Sequence, residues 1–324
     1  MKTVRLPIAL GFALAVSLHA APAEAQLASV FFVSGLGTDQ PNCGVVSPCR
    51  SLQYAHDKSA NGGNIQCVDS TWFLSVTITK SITIDCTGHN SVVIPFPLLA
   101  DFAVTVDIAP ANAVVVLRGL DIYGGFNSGT GVHFKRGSQL HIENSRITGF
   151  ANSGVGTGIY FTPSDAAKLH VTDSTISVNG NAATGAGIIV KPTGSGSARV
   201  ALTRVNVANN TFGIAADGTG STGGINMTIA DSMVSGNLQD GIIAVTPGGG
   251  AAIGVMVKNS ESANNNIGIR SIGPNVTVRV DGSSVIGNGT GLSFSGGGAL
   301  LSFGNNSVVA NSTNGAFSGP VGRQ

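Results

Sequence analysis

The chain has 324 residues, of which 46 are Gly, about twice the usual share of roughly 7%. Only 10% of residues are charged, against roughly 25% in an average protein, and 17 basic residues balance 16 acidic ones. A net charge of +1 excludes a nucleic-acid binder built on a basic face. The scarcity of charge excludes a coiled coil, a 42% hydrophobic content excludes disorder, and glycines without a three-residue period exclude collagen. A β-rich chain with many tight turns remains.

Residues 1–25 read as a secretory signal peptide. Lys2 and Arg5 make a positive start, Leu6 to Leu18 is a short apolar stretch, and Ala23-Glu24-Ala25 offers a small-x-small cleavage pattern before Gln26. The apolar stretch is short for a span of roughly 30 Å, and no later segment is longer, so no membrane span is expected after cleavage. The expected destination is outside the cytoplasm: secreted, periplasmic or on the cell surface.

Residues 26–62 are expected to form an N-terminal cap. Ser47-Pro48 is a plausible helix start, with Ser as N-cap and Pro in the first turn. The helix would run to about Ser59 and stop before Asn61-Gly62-Gly63, with Leu52, Tyr54 and Ala55 covering the first coil. All four Cys lie between Cys43 and Cys86, which in an exported chain suggests two disulfides. Three connectivities are open. The favoured one joins Cys43 to Cys49 around Pro48, and Cys67 to Cys86 across two neighbouring strands. A zinc site using Cys86, His89 and His56 is the competing idea, but the spacings match no standard module.

Residues 63–313 carry an internal repeat. The segment from Leu140 to Phe150 reads LHIENSRITGF: Leu140 and Ile142 alternate with polar residues, a polar turn comes next, and Ile147 returns to the apolar side. Further copies start at Val115, Leu169, Val200, Met227, Val255, Val278 and Leu301. The positions equivalent to Ile147 are Ile122, Ile176, Val207, Val234, Ser262, Val285 and Val308, about 27 residues apart. Three residues after this anchor, six successive copies carry Asn: Asn179, Asn210, Asn237, Asn265, Asn288 and Asn311. Farther on, each copy has Gly before an apolar or small residue, from Gly131-Val132 to Gly315-Ala316.

One copy supplies about three short strands and cannot bury its apolar face alone. Coiling and stacking the copies buries a continuous interior and pairs each strand with the coils above and below. Asn is expected at left-handed corners and in a side-chain ladder from coil to coil, and Gly at sharp bends. About eleven coils at roughly 4.8 Å each would make a rod near 50 Å long. Residues 314–324 are expected to cover its C-terminal end, using Phe317.

This pattern resembles exported bacterial right-handed parallel β-helix repeat proteins with the pectin-lyase-like fold. The opening VSGLGTDQPNCGVVSPCRSLQYAHD, the segment GGNIQCVDSTWFLSVTITKSITIDCTG and the close GNNSVVANSTNGAF carry the resemblance. It implies an all-β solenoid with a short N-terminal capping helix. It implies no single activity, because the fold hosts lyases, hydrolases, esterases, adhesins and structural rods. The Asn-Thr-Asp, paired Asp, Gly-His-Gly and Arg-Ile-Lys segments of polygalacturonase-like hydrolases are missing, and the Asp residues are scattered.

Two polar stripes hold the candidate chemistry. The first combines Arg118, Asp121, His141, Glu143, Arg146, His170 and Asp173, with His141 and His170 at the same position of consecutive copies. It would place an acid and a base about 5–10 Å apart, as glycoside hydrolysis requires. Glu143, Asp121, His141, His170 and Asp173 are the catalytic candidates; Arg118 and Arg146 are ligand-binding candidates. The second stripe runs along the Gly-apolar pairs: His133, Lys135, Arg136, Tyr160 and Lys191. A lyase acting on acidic polysaccharide needs such a base and cations that offset the uronate charge.

The expected function is an exported, non-catalytic rod presenting a surface to a polysaccharide or another cell-envelope component. The alternative is a polysaccharide lyase or glycoside hydrolase. Neither cofactor nor metal is expected, and the oligomeric state is open. One Trp and three Tyr leave few rings for sugars to stack on.

Overall fold

The computed structural model describes residues 30–95, 102–109, 112–125, 129–151, 156–181, 184–246, 248 and 250–322. The expected signal peptide lies outside them. Each coil contributes one strand to each of three parallel sheets, which hold 12, 10 and 9 strands. The chain is therefore a parallel β-solenoid. The nine-stranded sheet limits the complete three-sided coils among the described residues to nine, fewer than the eleven expected. The shortfall lies at the ends, where Val30–Val33 and Gly319–Pro320 extend only the twelve-stranded sheet.

Alternation fixes the coils. Gln139–Glu143 turns Leu140 and Ile142 inward and leaves Gln139, His141 and Glu143 outside. A one-residue slip would reverse those faces, so burial holds the register. Ile147 stacks between Ile122 and Ile176, and the row continues through Val207, Val234, Ser262 and Val285 to Val308. Ser262 interrupts this apolar row without an orphaned group, because its hydroxyl donates to the Gly268 carbonyl at 2.8 Å. Phe73, Phe134, Phe150 and Phe161 are the largest fully buried side chains. Each such burial contributes about 1.5–3 kcal/mol.

The corners differ from the sequence expectation in two respects. The ladder Asn residues are not the left-handed ones; the residue before each is. Val178, Asn209, Asn264 and Ala310 have φ between 54° and 57°, and Gly236 and Gly287 take the same role. Left-handed geometry at this outer position lets the next residue, the ladder Asn, turn its side chain inward. The glycines before the apolar residue also serve another purpose. Gly213 has no left-handed φ, but a Cβ there would sit 2.4 Å from the Gly241 carbonyl oxygen and 2.9 Å from Asn237 Nδ2. Gly is required for close approach between coils rather than for a bend.

The Asn side chains form a continuous buried ladder. Asn179 Nδ2 and its backbone N–H both donate to Asn210 Oδ1 at 3.0 Å. Asn210 does the same to Asn237, Asn237 to Asn265, Asn265 to Asn288 and Asn288 to Asn311. Each Nδ2 also reaches a backbone carbonyl in the coil before, as Asn237 reaches Val207 at 3.3 Å. Phe150 N–H starts the ladder on Asn179 Oδ1, and Asn314 Oδ1 ends it. A second ladder runs along the other corner, where the N–H of Ser145 donates to Ser174 Oγ, that of Ser232 to Ser260, and that of Ser260 to Ser283.

The helix α1 (Leu52–Lys58) starts later than Ser47-Pro48 suggests, with Ser51 as its N-cap. Residues up to Cys49 are held otherwise: Cys49 N–H donates to the Phe32 carbonyl, and Cys43 is joined to Cys49 by a disulfide. Leu52 and Ala55 are buried, Tyr54 is half-buried, and Gln53 bonds both the N–H and the carbonyl of Thr77 on the first strand of the nine-stranded sheet. The second disulfide joins Cys67 to Cys86 at the ends of paired strands of successive coils. No thiol is left for zinc. At the other end, Gly315-Ala316 does not continue the Gly-apolar row as a strand. Thr313 makes a single bridge to Thr290, Gly315 turns at φ 71°, and Ser318 N–H reaches the Leu300 carbonyl. The chain thereby crosses the end of the solenoid with Phe317 against the core.

Candidate functional site

The first stripe is divided by the fold. Arg118, His141, Glu143 and His170 lie on the outer face of the twelve-stranded sheet, Asp121 and Arg146 on the ten-stranded sheet, and Asp173 at the corner between them. Its carboxylates are held by guanidinium groups. Arg118 bridges Glu143 at 2.8 Å and Asp85 at 3.1 Å, and both carboxylates raise its pKa. Arg146 pairs with Asp121. Asp173 receives two hydrogen bonds from Arg204, at 2.6 and 2.8 Å, which lower its pKa. Asp121, Arg146 and Asp173 line one hollow of about 500 Å³ together with His89, Asn90 and Asn144, whereas Glu143 and Arg118 stand on the twelve-stranded sheet.

The second stripe lies on the nine-stranded sheet. His133 sits between Phe102 and Tyr160, with ring centroids 4.8 and 5.1 Å away. The Thr162 hydroxyl donates to the Phe134 carbonyl, so its oxygen accepts from His133 Nε2–H at 3.1 Å. Nδ1 is left buried without a partner. Burial, with help from Lys135, pushes the His133 pKa down to about 4. The His133 ring is flanked on both sides, and the Tyr160 ring turns one face to it. Lys135 lies over Phe102, Lys191 pairs with Asp217 at 2.8 Å, and Arg136 pairs with Asp107. Farther along, Asp240 is only 1% exposed and lies 2.7 Å from Arg270, out of line for a hydrogen bond. Burial lifts its pKa to about 6 against the pull of Arg270.

A different place has the character of a binding site. A groove of about 510 Å³ runs over the outer face of the twelve-stranded sheet. Two outward rows build it. Lys168, Arg199, Asn226 and Gly254 stand in register on four consecutive coils, and His170, Ala201, Thr228, Met256 and Arg279 form the row beside them. The small Ala201 and Gly254 leave the hollow. A side recess of about 370 Å³ shares Lys168 and Arg199. No Asp or Glu lines the groove. The side chains of Lys168, Arg199 and Arg279 make no ion pair or hydrogen bond among the described residues, whereas those of Arg118, Arg136, Arg146, Lys191, Arg204 and Arg270 are each matched to a carboxylate. Of the sequence candidates only His170 lines this groove, and it stacks on His141 with centroids 4.7 Å apart. The repeat register was the available signal, since it places Lys168 directly beside Arg199.

Among the described residues no group of three or more His, Cys, Asp or Glu could hold a metal ion, and no helix is long and apolar enough to cross a membrane.

The fold is that of a parallel β-helix of the pectin-lyase-like class. The crystal structure of pectate lyase Pel9A matches with a TM-score of 0.54 and 14% identity, over 90% of this chain and 79% of that one. A crystal structure of the Dettilon tailspike protein matches with a TM-score of 0.46 and 16% identity, over 78% of this chain and 56% of that one. No family model and no curated protein matches the chain. At these identities the likeness concerns the fold alone.

Proposed function

We propose that this protein is an exported β-helix rod that binds an acidic polysaccharide in the groove of the twelve-stranded sheet, without cleaving it. The observation that carries this reading is the set of unpaired cations Lys168, Arg199 and Arg279 around one groove free of acids. Cations that no carboxylate of the protein neutralises gain most from an incoming carboxylate or sulfate. Asn226 and Thr228 add neutral donors for hydroxyl groups. The groove lies along the coil axis, which suits an extended chain rather than a compact ligand.

A second reading is a lyase. The groove supplies a Lys and two Arg, the residue types that can withdraw a proton beside a neutralised uronate. One experiment separates the two. Purified protein is incubated with polygalacturonate, while binding is monitored by co-sedimentation and cleavage by the ultraviolet absorbance of unsaturated ends. Binding that Arg199→Ala weakens about tenfold or more, without unsaturated ends, supports the proposal. Unsaturated ends that Lys168→Ala abolishes would install the lyase instead. Absence of binding sinks both.

A further inference from the structure

The groove has one more potential cation at its N-terminal end. His170 lies on the same strand as Lys168, two residues on, so both side chains point outward beside each other. One face of its ring is covered by His141, with an interplanar angle of 9°. Its neighbour in the next coil is Ala201, which is too small to cover the other face. His170 is therefore the member of the pair that opens onto the groove.

We infer that the stacked His141–His170 pair is a proton-dependent subsite for a carboxylate or sulfate group of the polyanion, so that mild acid tightens binding. This inference rests on the proposed groove. Histidine changes charge between about pH 5 and 8, the range in which a carboxylate or sulfate stays ionised. Two imidazolium rings this close would repel each other. Burial, then the neighbouring His170, lowers the His141 pKa, which favours the neutral form of the covered ring. Among the charged groups around the pair Glu143 favours the protonated form of His141, but less than burial and His170 oppose it. Glu143, beside His141, is already bonded to Arg118, while Lys168 and Arg199 are cations. A proton on the pair thus adds to the positive field of the groove, and a bound anion relieves the repulsion.

The test measures the affinity of the full, disulfide-bonded protein for polygalacturonate and, separately, for dextran sulfate, at about pH 7.5 and about pH 5.5. Both polymers keep their charge across this range, and they distinguish carboxylate from sulfate as the recognised group. Affinity is expected to rise about fivefold at the lower pH, the effect of one added charge near the ligand. His170→Gln should bring the ratio of the two affinities to about one, while Arg279→Ala should weaken binding at both pH values and keep the ratio. A fivefold ratio that survives His170→Gln overturns the inference. A wild-type ratio of about one, with binding that still depends on Arg199, overturns the inference and leaves the groove standing. No binding at either pH overturns both.

Discussion

At the residue scale, buried polar groups carry much of the specification. Asn237 is 2% exposed and fully bonded: it donates to Asn265 and to the Val207 carbonyl, and it accepts twice from Asn210. Asn237→Ala leaves the two Asn210 donors without an acceptor. The cost of unpaired buried groups sets an expected loss of about 2–4 kcal/mol, read from the urea unfolding midpoint. Asn237→Asp can still accept but cannot donate, so its loss should be at least as large and should shrink as pH is lowered. His133 makes a second test. Its folded pKa of about 4 lies below the ordinary 6.5, so between these values the unfolded chain binds more protons. The stabilisation from neutral His133 is complete above about pH 6.5 and is lost as pH falls toward 4. His56 and His141, also lowered chiefly by burial, act in the same direction. Asp240, raised to about 6, opposes them: its folded form binds more protons than its unfolded form between about 3.8 and 6. Thermal unfolding from pH 7 to 4.5 should therefore show a smaller decline in His133→Gln and a steeper one in Asp240→Asn.

At the scale of elements, strands and corners were unequally legible. The strand positions came from alternation, because inward Val, Ile and Leu leave a period of two in the sequence. The corner roles did not. Asn179 and Val178 are adjacent, and only the backbone shows that Val178, 42% exposed at φ 57°, is the left-handed residue. A β-branched side chain there is strained by about 1–2 kcal/mol. Val178→Asn should accordingly raise stability by about 1 kcal/mol, seen as a higher unfolding midpoint; an unchanged or lower midpoint would show that Val178 has a compensating contact. The cap was displaced for a similar reason. Ser47-Pro48 has helix-start chemistry, but pairing of Cys49 with Phe32 claims that backbone first, so the helix begins after Ser51.

At the scale of the whole molecule, charge is segregated rather than merely scarce. Among the described residues most Arg side chains pair with carboxylates of neighbouring coils, and the unpaired cations of the groove are left on one face. A polyanion held there should be strongly salt-dependent, since exposed charges are screened over about 8 Å at physiological ionic strength. Raising salt from about 0.05 M to about 0.5 M should weaken binding to polygalacturonate more than tenfold, and an Arg199→Ala, Arg279→Ala double variant should show a shallower dependence. Salt-insensitive binding would point to a surface other than the groove. The first candidate stripe is divided between two sheets, because sequence position fixes the coil and the height of a residue but not its face. Asp121 and Glu143 are near neighbours in the repeat and stand on different sheets.

The sequence by itself determined the solenoid, its register and the residues of its ladder, because each repeats at a period that burial enforces. Composition alone already restricted the chain to glycine-rich turns and few charges. Only the tertiary structure decided which charges are neutralised and where a hollow opens. Those properties depend on neighbours about 25 to 30 residues away and on the small side chains of Ala201 and Gly254. A groove is made by what is missing between coils, and such a gap leaves no periodic mark in one chain.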